Sequence, residues 1–281
     1  MFLALAVLVT AAGIAQETRY RPPPSYTAGG RPDQAEGAQI LRDFRAAGLS
    51  GSYWLAFELR VMPRHGAERV IPGQLLGSRN EAGPVSRLTL PGAGGLATEQ
   101  RWLFQSGPHP AAWSWSGASG RTEPLAGTDA FQPLAGTDLT LFDLQMPYLY
   151  WPEFVYEGVA NVRGRPAHSF VLYPPADLAA ARPELTGVRV LLDTQFQALV
   201  QAEMLGAKGA AVKSFTVLDL KKVGDQWMLK SVDLRNDVTR DKTRFSVTAA
   251  ALNLGLPPAT FTAHALADEP PVVPADRIER F

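Results

Sequence analysis

From residue 155 to residue 250 the chain repeats one unit, an apolar run closed by a tight turn. Runs at 155–162 and 166–173 flank Arg163-Gly164-Arg165, and the run at 188–193 turns at Asp193-Thr194-Gln195 into 196–204. Gly206 and Gly209 mark the next turn, 211–222 turns at Gly224-Asp225 into 226–236, and a last run covers 242–250. Connections this short cannot return a strand parallel to its predecessor, so the neighbours are antiparallel. Hairpins in series make a meander, which predicts one continuous sheet rather than two domains.

The first half carries the same signal less regularly. Tyr53, Leu55, Phe57, Leu59 and Val61 alternate with Trp54, Ala56, Glu58 and Arg60, the period of a strand. Further strands are expected at 68–78, 85–90, 98–106 and 111–116, with Gly or Pro between them. Strands this long favour a wide curved sheet over a small sandwich. Ahead of them, Asp33 and Glu36 resemble a capping box, Ile40, Leu41 and Phe44 share one helical face, and Gly48 supplies a left-handed stop. Between 117 and 138 the hexapeptide PLAGTD occurs twice, at 124–129 and 133–138, and reads as duplicated turn chemistry. Thr137 or Asp138 is expected to cap a short helix within 139–150 whose Leu141, Leu144 and Tyr148 face inward, with Trp151-Pro152 ending it.

The ends read differently. Met1 to Ala15 holds no charge, and its apolar core is shorter than the roughly 20 residues a membrane-spanning helix needs. With Gly13 and Ala15 at its end it fits a cleavable secretion signal better than a buried N-terminal helix or strand; no Lys or Arg precedes it, which suggests a true start that lies upstream or was trimmed. Residues 16–32 read as an extended Pro-rich leader, 33–265 as a single domain, and 266–281 as a loose Pro-rich tail. The chain has no cysteine, so an exported domain would depend on its hydrophobic core, and no lipid can be attached behind the signal. Lys plus Arg equals Asp plus Glu at 27 each, which lacks the electrostatic footprint of a nucleic-acid binder. A periplasm is expected ahead of the outside medium.

Chemistry-bearing motifs are scarce. His65, His109, His168 and His264 stand apart, and neither HExxH nor HxH occurs, so no metal site is expected. His168, on a strand, reads as half-buried and structural. GxSxG and GxxxxGK[ST] are missing, and the GAGG at 92–95 has no helix behind it to cradle a phosphate. Asp143 and Glu153 flank an aromatic stretch and are the first carboxylates to suspect of glycosidase chemistry, but a surface charge on a helix and a loop charge explain them better. No catalytic residue and no cofactor is expected. The aromatic residues are more suggestive: Trp102 and Phe104 share a strand face, as do Trp113 and Trp115, and Tyr148, Tyr150, Trp151, Phe154 and Tyr156 crowd one segment. A sheet this apolar, curved over few helices, could enclose a cavity for an apolar ligand, although ordinary core packing fits as well.

The runs GTDLTLFDLQMPYLYWPEFVYEGVANVRGRPAHSFVLYP (136–174) and VRVLLDTQFQALVQAEMLGAKGAAVKSFTVLDLKKVGDQWMLKSVDLRN (188–236) carry a resemblance. In layout the chain resembles the LolA-like superfamily, and within it the outer membrane lipoprotein-sorting proteins. The resemblance covers about 33–250 and is dense only after 136. It implies a mainly β, α+β fold, a strongly bent antiparallel sheet forming a half-open β-barrel closed by a few helices. It further implies a monomeric, non-catalytic periplasmic carrier of acylated lipoprotein or lipid cargo, with inner- and outer-membrane partner proteins. An envelope sensor or protein-interaction module on the same fold is the alternative. The expected cavity residues are Tyr53, Leu55, Phe57, Leu59, Trp102, Phe104, Trp113, Trp115, Leu144 and Tyr148, and the helices within 33–48 and 138–150 are the expected lids. The N-terminal tryptophans and the PLAGTD duplication lie outside the family pattern.

Overall fold

Tight turns at most strand ends leave the chain one way to pair, with the strand before it. The computed structural model describes residues 20–27, 30–196 and 198–281; the expected signal segment 1–15 lies outside the described residues. Six strands run in series: β1 (Ser52–Met62), β2 (Arg69–Asn80), β3 (Gly83–Leu90), β4 (Gln100–Gln105), β5 (Ala111–Ser116) and β6 (Arg121–Leu125). A second series follows: β7 (Glu153–Val162), β8 (Arg165–Tyr173), β9 (Gly187–Asp193), β10 (Leu199–Leu205), β11 (Ala211–Val223), β12 (Gln226–Asn236) and β13 (Lys242–Leu254). The two meanders join through antiparallel pairing of β1 with β13, from Ser52 opposite Leu254 to Met62 opposite Lys242. The sheet order is therefore β6-β5-β4-β3-β2-β1-β13-β12-β11-β10-β9-β8-β7, curved and unclosed, with a short β14 (Glu279–Arg280) added to β13. This is the bent, half-open sheet that the sequence led us to expect.

The topology sets one further constraint. β6 and β7 lie at opposite edges, so residues 126–152 must cross from one edge to the other. They do so over the inner face, in short pieces: 3-10 turns at Asp129–Phe131 and Leu134–Gly136, α2 (Leu141–Gln145) and a 3-10 turn at Pro147–Tyr150. The two PLAGTD copies do supply turns, with Gly127 and Gly136 at φ +58° and +64°. The helix cap is Thr140 rather than Thr137 or Asp138: its hydroxyl accepts from the Asp143 N–H, and the Asp143 carboxylate accepts from the Thr140 N–H. α1 (Gln34–Ala46) begins on Asp33, which accepts from the Ala35 N–H. It ends on an extended Ala47, and Gly48, at φ +148°, is not the left-handed stop expected. α3 (Ala176–Ala181) sits in the β8–β9 connection.

Both described chain ends depart from expectation. The leader is not free: Pro22 is buried, the Tyr173 hydroxyl donates to its carbonyl at 2.8 Å, and the Thr27 N–H donates to the Glu157 carbonyl at 3.1 Å. The C-terminal segment is not loose either. Leu266 is fully buried against Val85 and Leu103, and β14 adds to the sheet. In both cases the chain end covers apolar outer-face residues that the sheet would otherwise expose to water, which favours docking over solvation.

Candidate ligand-binding face

Alternation along each strand sorts the sheet into an inner and an outer face. The inner face carries one continuous apolar cluster, including Leu55, Phe57, Leu59, Leu88, Trp102, Phe104, Phe170, Val190, Phe215, Leu234 and Phe245. Phe57 stacks on Phe245 with ring centroids 4.6 Å apart, across the β1·β13 seam. β2 leaves room for that ring through Gly73, where an added Cβ would lie 2.3 Å from the Phe57 ring.

Of the ten residues expected to line a cavity, Leu55, Phe57, Leu59, Trp102, Phe104 and Tyr148 are buried in this cluster, and Tyr53 and Leu144 pack on its margin. Trp113 and Trp115 do not join them. In the β4–β5 register Leu103 faces Trp113 and Arg101 faces Trp115, so both tryptophans share the outer face with Leu103 and pack near Leu266. Trp102 and Phe104 point to the other side. The Arg101 guanidinium lies over the Trp115 ring at 4.3 Å.

The crossing segment fills the inner face. Leu134, Leu139, Leu141, Phe142, Tyr148, Leu149 and Trp151 are all buried in the same cluster, with Phe142 stacked on Phe131 at 4.3 Å and Tyr148 edge-on to Trp151 at 6.2 Å. What remains between Asp143, Tyr148, Val188, Ala202, Met204, Lys213 and Phe215 is a void of about 10 Å³. That is room for about one water, whereas a small-molecule pocket takes about 300–1,000 Å³. The side chains of the crossing segment thus pack against the face where a ligand was expected.

Polar contacts tie this segment to the sheet at several points. Arg69 donates to the carbonyls of Ala135 and Gly136 at 2.8 and 2.7 Å, and Gln145 donates to those of Gln105 and Ala111 at 3.1 and 3.0 Å. Asp138 and Thr243 exchange two hydrogen bonds of 2.9 Å. Asp143 meets Lys213 of β11 at 2.5 Å, with their side chains only 3% and 15% exposed. α1 is held at the β7 edge by Gln34, whose amide donates to the Tyr156 carbonyl and accepts from its N–H, each at 2.9 Å. Sequence reasoning missed the Asp143–Lys213 pair, whose one signal was a lysine at an inward position of an apolar strand.

Burial governs the titration of this face. It pushes the Tyr148 hydroxyl well above its ordinary range, with the Asp143 charge adding to the effect, and raises Tyr53 and Asp138. It lowers His168, whose Nδ1 lies 2.9 Å from the Tyr156 hydroxyl. Asp143 and Glu153 do not act together: the first binds Lys213 in the interior, the second pairs with Arg21 at the surface. Among the described residues no group of three or more His, Cys, Asp or Glu could hold a metal ion, and no helix is long and apolar enough to cross a membrane.

The curved, unclosed antiparallel sheet with few helices is a LolA-like fold. An outer membrane lipoprotein-sorting protein domain from Vibrio parahaemolyticus superposes with a TM-score of 0.72 at 17% identity, over 84% of this chain and 100% of its own. A DUF1329 family protein from Desulfovibrio piger gives 0.72 at 14%, over 84% and 100%. A LolA superfamily protein from Nitrosomonas europaea gives 0.62 at 14%, over 82% and 98%. A family model described as "Uncharacterized protein" matches residues 101–268, more than half of the chain, and the chain belongs to that family. No curated protein matches the sequence.

Proposed function

We infer that the chain is a non-catalytic carrier that takes acyl chains onto its inner face when the crossing segment lifts away, acting in a periplasm during lipoprotein or lipid transfer. The observation that carries this is the make-up of the lid. The inner face is apolar from β4 across the seam to β8, yet it is covered by isolated turns and a five-residue helix rather than by a second sheet. Short helices gain little from their own hydrogen bonding, so their place depends on side chains that an acyl chain can replace, at about 0.8 kcal/mol per buried methylene. The superposed sorting-protein domain lends the fold a setting of this kind.

The test is native mass spectrometry of the full chain purified from a bacterial host. Retained acyl lipid, or uptake of an added palmitoyl probe, supports the reading; a chain that stays empty with every acyl probe removes it. A second reading, an envelope sensor or interaction module, is favoured by the filled inner face and by a polar groove of about 550 Å³ on the outer face, lined in part by Gln201, Glu203, Asp233, Arg235 and Lys242. It gains if pull-down from envelope extract yields one stoichiometric protein and no lipid.

A further inference from the structure

The Asp143–Lys213 pair is out of place in a purely apolar carrier. Lys213 lies on β11 opposite Asn236, two residues before the buried inner-face Phe215. Asp143 reaches it from α2, and its carboxylate also accepts from the Thr140 N–H at 2.8 Å and the Thr140 hydroxyl at 2.6 Å. The small void beside the pair is bounded otherwise by Tyr148, Val188, Ala202, Met204 and Phe215. Charges held among such side chains give up hydration, and removing one partner leaves the other uncompensated.

The two partners belong to different bodies. Asp143 travels with the crossing segment, whereas Lys213 stays on the sheet. Lifting that segment removes Leu141, Phe142 and Tyr148 from the inner face and strips Lys213 of its counter-charge in the same step. An ammonium left against an apolar wall favours whatever anion can follow it there. Resting on the carrier reading, we propose that Lys213 is a headgroup subsite selecting amphiphiles with an anionic head, a phosphate or a carboxylate, and that Asp143 is the built-in occupant of that subsite. The lid then imitates its own ligand: the Asp143 carboxylate stands for the head, and the side chains of Phe142 and Tyr148 stand for the tail.

The test compares four probes with the same palmitoyl tail: palmitate, lysophosphatidic acid, the zwitterionic lysophosphatidylcholine and uncharged monopalmitoylglycerol. Binding to the full chain is read by native mass spectrometry and by displacement of an uncharged acyl-tailed dye. Asp143→Asn, which keeps an oxygen for the Thr140 cap, should tighten both anionic probes by about tenfold more than the uncharged probe, whose gain reports only the loosened lid. Adding Lys213→Met to that variant removes both charges, so no lone buried ion threatens the fold, and should erase the preference for anions. Lys213→Arg should keep it. The phosphate and carboxylate arms distinguish a phospholipid source from a fatty acid. If the anion preference survives in the double variant, or is missing from Asp143→Asn, the headgroup proposal fails while the carrier reading stands. If no probe binds any variant, both fall.

Discussion

On the inner face of the sheet, Phe57, Phe170 and Phe245 belong to the same apolar cluster as Phe142 and Tyr148 of the crossing segment, and the Asp143–Lys213 pair is the one ion pair between that segment and the sheet among the described residues. On the outer face the cover is held through charge. Arg87 donates to the carbonyls of Ala265 and Asp268, and Arg101 donates to those of Leu266, Ala267 and Asp268 while pairing with Glu99 and Glu269. Apolar contact is non-directional, so one tail can replace another on the inner face. Guanidinium forks aimed at carbonyls fix one geometry, and the outer cover therefore behaves as a permanent part of the fold. The contrast separates the surface suited to exchange from the surface built to stay closed.

The largest test of that contrast is Phe57→Ala, expected to cost about 3–5 kcal/mol in urea unfolding because the seam ring has no substitute. Loss of one cooperative transition for the whole chain is the expected form. Leu266→Ala should cost less, toward the low end of about 2–5 kcal/mol, since its cluster is small, and should appear mainly as faster proteolysis of residues 256–274. If Leu266→Ala instead melts the whole sheet, the outer cover is part of the core and the contrast weakens. Thr140→Ala removes the α2 cap at about 1 kcal/mol and should raise acyl-probe uptake, because it loosens the lid and not the sheet.

Acid should distinguish the faces too. Burial depresses the folded His168 value below its ordinary 6.5, so the stability it contributes is full above pH 6.5 and lost as pH falls through the folded value. Asp233, on the outer face, is also depressed: burial pushes it up, but the Arg244 hydrogen bond and the charges of Lys242 and Arg244 outweigh that. Its contribution is present above pH 3.8 and lost below it. Unfolding free energy measured against pH should show a first decline beginning near pH 6.5 that His168→Gln removes, and a later one that remains. The smallest effect is expected from Arg21→Ala: the Arg21–Glu153 pair is more than half exposed, which limits it to about 0.2–1 kcal/mol, weaker still at high salt.

Most strands were legible because the turns between them are short and glycine-bearing, as at Arg163-Gly164, where both residues take positive φ. β6 was not: RTEPL has no alternation and carries Pro124, features of an edge strand that only its place in the sheet explains. Which face Trp113 and Trp115 take was equally hidden. Residues 106–110 connect β4 to β5, and one residue more or fewer in that loop would reverse the parity of every pair beyond it. The Asp143–Lys213 pair spans 70 positions, and the docking of Leu266 depends on a surface built more than 150 residues earlier. Such contacts exist only once the sheet has curved.

The β1·β13 seam also orders events in time. Ser52 meets Leu254 across 202 positions, so β1 has no partner on that side until nearly the whole chain is available. The first six strands and the crossing segment therefore precede the strands that complete the inner face. Contacts this distant in sequence form slowly, because loop-closure entropy is spent before they return anything. The hairpins on either side can pair as they emerge, whereas the seam, and with it the inner face, should close late.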